Sequence, residues 1–104
     1  MATHKDLDVW KESIDLVEVI YKLTAKLPKE EVYNLTSQMR RASVSISSNI
    51  AEGAVRSSSK DYVRFLYMSL GSVSELETQC LIVERIFKWI LAKLYQRLKG
   101  REIN

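Results

Sequence analysis

Leu35–Gly53 reads LTSQMRRASVSISSNIAEG, and the fold turns on what keeps such a stretch helical. Leu35, Met39, Ala42, Ile46 and Ile50 are spaced 4, 3, 4 and 4, the spacing of one helical face. Much of the remainder is small or hydroxylated: Ser37, Ser43, Ser45, Ser47, Ser48 and Ala51. Serine hydroxyls compete for backbone groups, so propensity contributes little helix here. Packing must supply the rest, and small side chains let neighbouring backbones come close. The pattern therefore predicts the central helix of a bundle, contacted on more than one side. Gly53 suits the left-handed residue that ends many helices.

Working outward, Asp6 or Asp8 can cap a first helix running to about Leu27, where Pro28 stops it. Its seam is Leu7, Trp10, Ile14, Val17 and Tyr21, spaced 3, 4, 3 and 4. Val9, Leu16, Ile20, Leu23 and Leu27 widen the stripe to two neighbours. Glu30 and Glu31 favour the start of the second helix electrostatically, and Asn34 offers a later cap. After the polar turn GAVRSSS (Gly53–Ser59), Ser58 or Ser59 can cap a third helix.

From Tyr62 the seam is the cleanest in the chain: Tyr62, Leu66, Ser69, Val73, Leu76, Cys80, Val83, Phe87, Ile90 and Leu94. Gly71 interrupts propensity but not phase, and reads as a close helix contact. No Gly or Pro lies between Ser72 and Lys99. Either one helix runs from about 59 to about 99, about 60 Å long, or the chain turns near Ile86–Trp89 into a short fourth helix. The turn is the preferred reading, because a continuous helix leaves Phe87, Trp89, Ile90, Leu91 and Leu94 without a partner. The fold class is thus all-α: an antiparallel up-and-down four-helix bundle, the fourth helix short or continuous with the third. Residues 1–104 form a single domain, with an extended lead-in before Leu7 and a frayed end at Gly100–Asn104.

Composition agrees with this. Apolar residues make up 46%, with only 3 Gly and 1 Pro, which suits helices. Lone Cys80 excludes an internal disulfide, and Met1–Leu7 lacks the apolar core of a secretory signal. No apolar run approaches the ~20 residues of a membrane span. A cytoplasmic protein with no membrane partner is expected. The net charge of +3 is uneven: residues 87–104 hold 5 basic and 1 acidic groups.

LTSQMRRASVSISSNIAEG followed by SKDYVRFLYMSLGSVSELETQ resembles the core of the 23S rRNA-intervening-sequence proteins, small bacterial four-helix-bundle proteins. DLDVWKESIDLVEVIYKLTAKLPKEEVY resembles their first helix and loop. The likeness covers roughly residues 6–84, and Gln38–Ala42, Asn49–Gly53 and Gly71–Gln79 are specific in combination. It implies an antiparallel bundle assembling into a homopentamer. Many members are encoded inside intervening sequences excised from 23S rRNA, which implies RNA or DNA as a partner. The tail IFKWILAKLYQRLKGREIN departs from the family pattern of a glycine-containing turn and an acidic start to the fourth helix.

Catalytic chemistry has thin support. His4 is the only histidine and lies in the lead-in. Cys80 occupies an apolar seam position, where a small core residue is expected. Paired Glu residues bind two metals in bundles that add Glu-x-x-His motifs, absent here. A non-enzymatic protein without cofactor or metal is expected. Candidate nucleic-acid contacts are Arg40, Arg41, Arg56, Lys60, Arg64, Lys88, Lys93 and Arg97, with Lys99 and Arg101 beyond them. Arg56, Lys60 and Arg64 form one basic stripe if their segment is helical. A candidate structural polar network comprises Gln38, Arg41, Asn49, Glu52, Glu75 and Glu77, with Arg40 or Arg41 pairing to a carboxylate across helices or subunits. Trp10, Tyr33 and Trp89 are candidates for base stacking, with core or interface packing as the other reading. Two functions remain open: an oligomeric helical protein with RNA or DNA binding, or a scaffold that serves another protein.

Overall fold

The computed structural model describes residues 3–103, with side chains described through Gly100. The architecture comprises three α-helices: α1 (Asp8–Thr24), α2 (Ser37–Ala54) and α3 (Ser59–Ile103). The hydrogen bonds joining them fix their directions. Residue numbers rise along α2 as they fall along α1, from Arg40 with Thr24 to Ser47 with Ser13. They also fall along α3, from Ser45 with Ser72 to Ile46 with Ser69. The three helices therefore run up, down and up.

The serine-rich helix is the centre. Its buried residues are Met39, Ala42, Ser43, Ile46, Ser47, Ile50 and Gly53, against only Ser13, Ile20 and Thr24 on α1. Met39 is fully buried at 0% exposure. Ile20, Met39, Ala42, Ile46, Ile50 and Leu76 form the core, sealed by Leu7, Trp10, Leu16, Leu27, Leu66, Cys80 and Val83. The buried serine hydroxyls are paired within it. Ser47 Oγ donates to Ser13 Oγ at 2.8 Å, and Ser69 Oγ donates to the Ile46 carbonyl at 3.0 Å. Such pairs let serine occupy a core position without leaving a buried polar group unsatisfied.

Several expectations are corrected. There is no turn near Ile86–Trp89 and no fourth helix among the described residues; α3 runs unbroken for 45 residues. Nothing in Ile86–Lys99 stops a helix, and the Glu84–Lys88 pair at 2.8 Å supports that segment. α1 ends at Thr24 rather than Leu27, closing through two short turns. Its buried line is Ser13, Ile20 and Thr24, so Ile14 and Tyr21 of the expected seam face outward. Leu7 stands at its N-cap without a side-chain bond. Asp6 instead closes a capping box with Thr3 on the 3₁₀ turn His4–Asp6. α2 begins at Ser37, after a π-turn over Val32–Thr36 in which the Glu31 carboxylate accepts from Leu35 N. Ser58 caps α3 as expected, accepting from Asp61 N at 3.2 Å.

Two glycines change roles. Gly53 lies inside α2 with ordinary helical φ, not in a left-handed cap. A Cβ there would stand 2.8 Å from Phe65 Cβ and 3.3 Å from the Tyr62 carbonyl. Close approach of α3 demands this glycine. Gly71 faces open space, with nothing within 4 Å of a Cβ, and marks no close contact. At the far end, the helix carries through to Ile103 where fraying was expected. Met1, Ala2 and Asn104, part of the expected lead-in and frayed end, lie outside the described residues.

The molecule measures 71 × 23 × 20 Å, and α3 sets the long dimension. α1 and α2 accompany α3 only to about Val83. Every side chain described from Glu84 onward is exposed.

Candidate functional site

The basic residues fall into three settings. Arg40 is committed to the fold. Its Nε donates to Thr24 Oγ1 at 2.9 Å and its Nη2 to the Tyr21 carbonyl at 3.3 Å. The guanidinium also lies 4.4 Å from the Tyr21 ring centroid. It thereby ties α2 to the C-terminal turn of α1, where the Tyr21 carbonyl also accepts from Ala25 N and the dipole favours a cation.

Arg56 and Arg64 converge at the α2–α3 turn. Each guanidinium lies 4.7 Å from the ring centroid of Phe65. Each also meets a carboxylate: Arg56 with Glu52 at 2.7 Å and Arg64 with Asp61 at 3.8 Å. The expected helical stripe of Arg56, Lys60 and Arg64 does not form, because α2 ends at Ala54 and α3 starts at Ser59. Arg56 lies in the turn between them. Lys60 is exposed on the first turn of α3. The local carboxylates leave this corner with only a small positive excess.

The third setting is the tail. Lys88, Lys93, Arg97 and Lys99 are all exposed on the part of α3 that has left the body. Lys88 binds Glu84, which holds the Glu84 carboxyl below its usual range through that hydrogen bond and charge. Lys93 and Lys99 each stand one turn from an aromatic ring, Trp89 and Tyr95, at 5.7 Å. Basic groups and exposed rings thus alternate along one rod. The side chain of Arg101 lies outside the described residues.

The candidate polar network is dispersed. Gln38 donates to Asn34, Asn49 to the carbonyl and hydroxyl of Ser45, and Glu52 accepts from Arg56. Glu75 accepts from Gln79 at 3.3 Å, and Glu77 is exposed. Gln38, Arg41 and Glu75 do line one open hollow between α2 and α3, together with Ser45 and Ser72. No ion pair links Arg40 or Arg41 to Glu52, Glu75 or Glu77 among the described residues. Besides the Arg40 bond to the Tyr21 carbonyl, the polar contacts between helices are hydroxyl bonds of Ser13, Ser45, Ser47, Ser69, Ser72 and Thr24, of which only Ser45 and Ser47 were among the small residues singled out in the sequence. The one available signal was the density of serine at core spacing.

Burial of Cys80 against the core raises its thiol above the usual value, as suits a packing residue. Trp10 packs on the core and meets His4 edge-on at 5.0 Å, whereas Tyr33 is 97% exposed. No cluster of three His, Cys, Asp or Glu suited to a metal occurs among the described residues. Among them, too, no helix is long and apolar enough to cross a membrane.

The sequence profile of the 23S rRNA-intervening sequence proteins matches residues 5–101, nearly the whole chain. The chain belongs to that family. The match runs through α1, α2 and most of α3, so the basic tail lies within the family's span despite its lack of a turn glycine. No curated protein matches the sequence.

Proposed function

We propose that this protein is a non-enzymatic homo-oligomer that binds RNA or DNA through basic patches repeated over the assembly. The observation that carries the reading is the tail of α3. It presents Lys88, Lys93, Arg97 and Lys99 clear of the body, with no carboxylate between Phe87 and Arg101. Phosphate backbones need only such charge, and repetition in an oligomer multiplies a modest patch. Membership of a family named for 23S rRNA intervening sequences favours RNA. The resemblance also supports five copies. Arg40 drops out of the interface because the fold consumes it, and Arg56 and Arg64 contribute less because Glu52 and Asp61 offset them.

The test is a binding titration against a structured RNA at two salt concentrations. About four phosphate contacts per copy predict roughly a hundredfold loss of affinity between 50 and 200 mM salt. Lys93→Gln with Arg97→Gln should flatten that slope. Absence of binding at the lower salt removes nucleic acid from the reading. The second reading then stands, a scaffold for another protein, which the carboxylate-paired arginines and the exposed Trp89 and Tyr95 favour.

A further inference from the structure

The core-facing seam of α3 does not end where the body ends. Leu76 is buried, Cys80 and Val83 are half-buried, and the same seam continues as Phe87 and Ile90, which line an open hollow with Leu27, Pro28 and Leu35, and then as Leu94 and Leu98, both about half exposed. At 100° per residue, Leu91 joins them in an apolar sector. Lys93 and Arg97 border one edge of it, and Lys88 and Lys99 the other.

The body has a matching vacancy. Ser72 and Glu75 place one flank of α3 on the side away from α1, so its opposite flank turns toward α1. That flank carries Leu66, Leu70 and Val73, with Leu70 at 56% exposure, and is bordered by Glu77. The flank of α1 turned toward α3 carries Leu16, Val19 and Leu23, bordered by Glu12. An apolar slot edged with acid thus faces outward, and the chain also carries a spare apolar helix edged with base. The helix cannot reach its own slot, because nothing between Ser72 and Lys99 lets α3 reverse.

We infer that two copies exchange these segments, the tail of each lying antiparallel in the α1–α3 slot of the other. The inference rests on the assembly reading above and names its contact. Because α3 is straight, the exchange is reciprocal about a two-fold axis near Ile86 and Phe87. In that register Ile90 stands level with the partner's Val83, and the tail edge carrying Lys88 and Lys99 is the one turned to the partner's Glu77 flank. Direct pairing of the two tails is disfavoured, since both edges of each tail are basic. About twenty half-exposed apolar side chains are covered per pair, on the order of 1,500 Å² in total, the scale of a standard stable interface. The contact joins copies two by two: a dimer, or two rings of five joined through their tails.

Light scattering on the full chain at tens of micromolar tests the exchange. The expected mass is an even multiple of the 12.0 kDa chain. Leu94→Glu lies outside the body, so it should leave the body's helices intact and weaken pairing at least tenfold. A Gly-Asn-Gly-Ser insertion between Ile86 and Phe87 supplies the missing turn. It should yield an assembly half as large, with unchanged helicity, as each tail fills its own slot. A mass of five chains, or an even assembly untouched by both Leu94→Glu and the insertion, overturns the exchange and leaves the assembly reading standing. A single-chain mass overturns both, including the case in which the tail binds anionic vesicles instead.

Discussion

α3 is one helix in two environments. Up to Val83 most of its seam packs against α1 and α2; beyond that point Leu94, on the same seam, is 49% exposed. Sequence pattern alone does not distinguish the two halves, because periodicity reports which face is apolar and not whether anything meets it. The difference lies in the partners. Below Val83 the chain doubles back twice to supply them, whereas the tail must find them elsewhere. That contrast separates a half whose residues set stability from a half whose residues are available for recognition.

Substitutions in the body should have the largest effects. Met39→Ala deletes a fully buried side chain in the first turn of α2. It should cost about 2–5 kcal/mol of unfolding free energy in urea titrations. The same truncation at Leu94, measured at concentrations dilute enough to separate the copies, should cost less than ~0.5 kcal/mol. Equal costs would erase the distinction between the halves.

The glycines sharpen the comparison within α2 and α3. Gly53→Ala forces a methyl to within 2.8 Å of Phe65 Cβ and should destabilise by about 1–3 kcal/mol. Gly71→Ala meets open space on an exposed helix face and should stabilise by about 0.5–1 kcal/mol. Thermal melts of the two variants should therefore move in opposite directions. The smallest effect is chemical. With its pKa raised by burial, Cys80 holds less thiolate at pH 8 than a free cysteine. Alkylation should be slower there and should accelerate as pH rises through the raised value. A rate equal to that of a model thiol would place Cys80 outside the core.

Much of the body was legible beforehand. The spacing of Met39, Ala42, Ile46 and Ile50 identified the central helix, and its shortage of good helix formers correctly implied enclosure. Ser58 was legible as a cap because capping depends on a hydroxyl three residues before the N–H it accepts from. The candidate site was less so. Arg40 and Arg41 are adjacent and chemically identical, yet one is bound into the α1 terminus and the other lines an exposed hollow. Which way each points depends on where α1 ends, and Thr24 rather than Leu27 decides that.

Local chemistry therefore settled the helical class, the apolar face of α2, the Ser58 cap and the basic excess of the last eighteen residues, since each depends on neighbours within a turn or two. Tertiary structure decided the rest: the pairing of buried serines, the role of Gly53, the fate of each arginine and the point where α3 leaves its companions. Those outcomes depend on residues far apart in the chain. No local pattern specifies which of several compatible surfaces will meet, because apolar burial has no directional preference of its own.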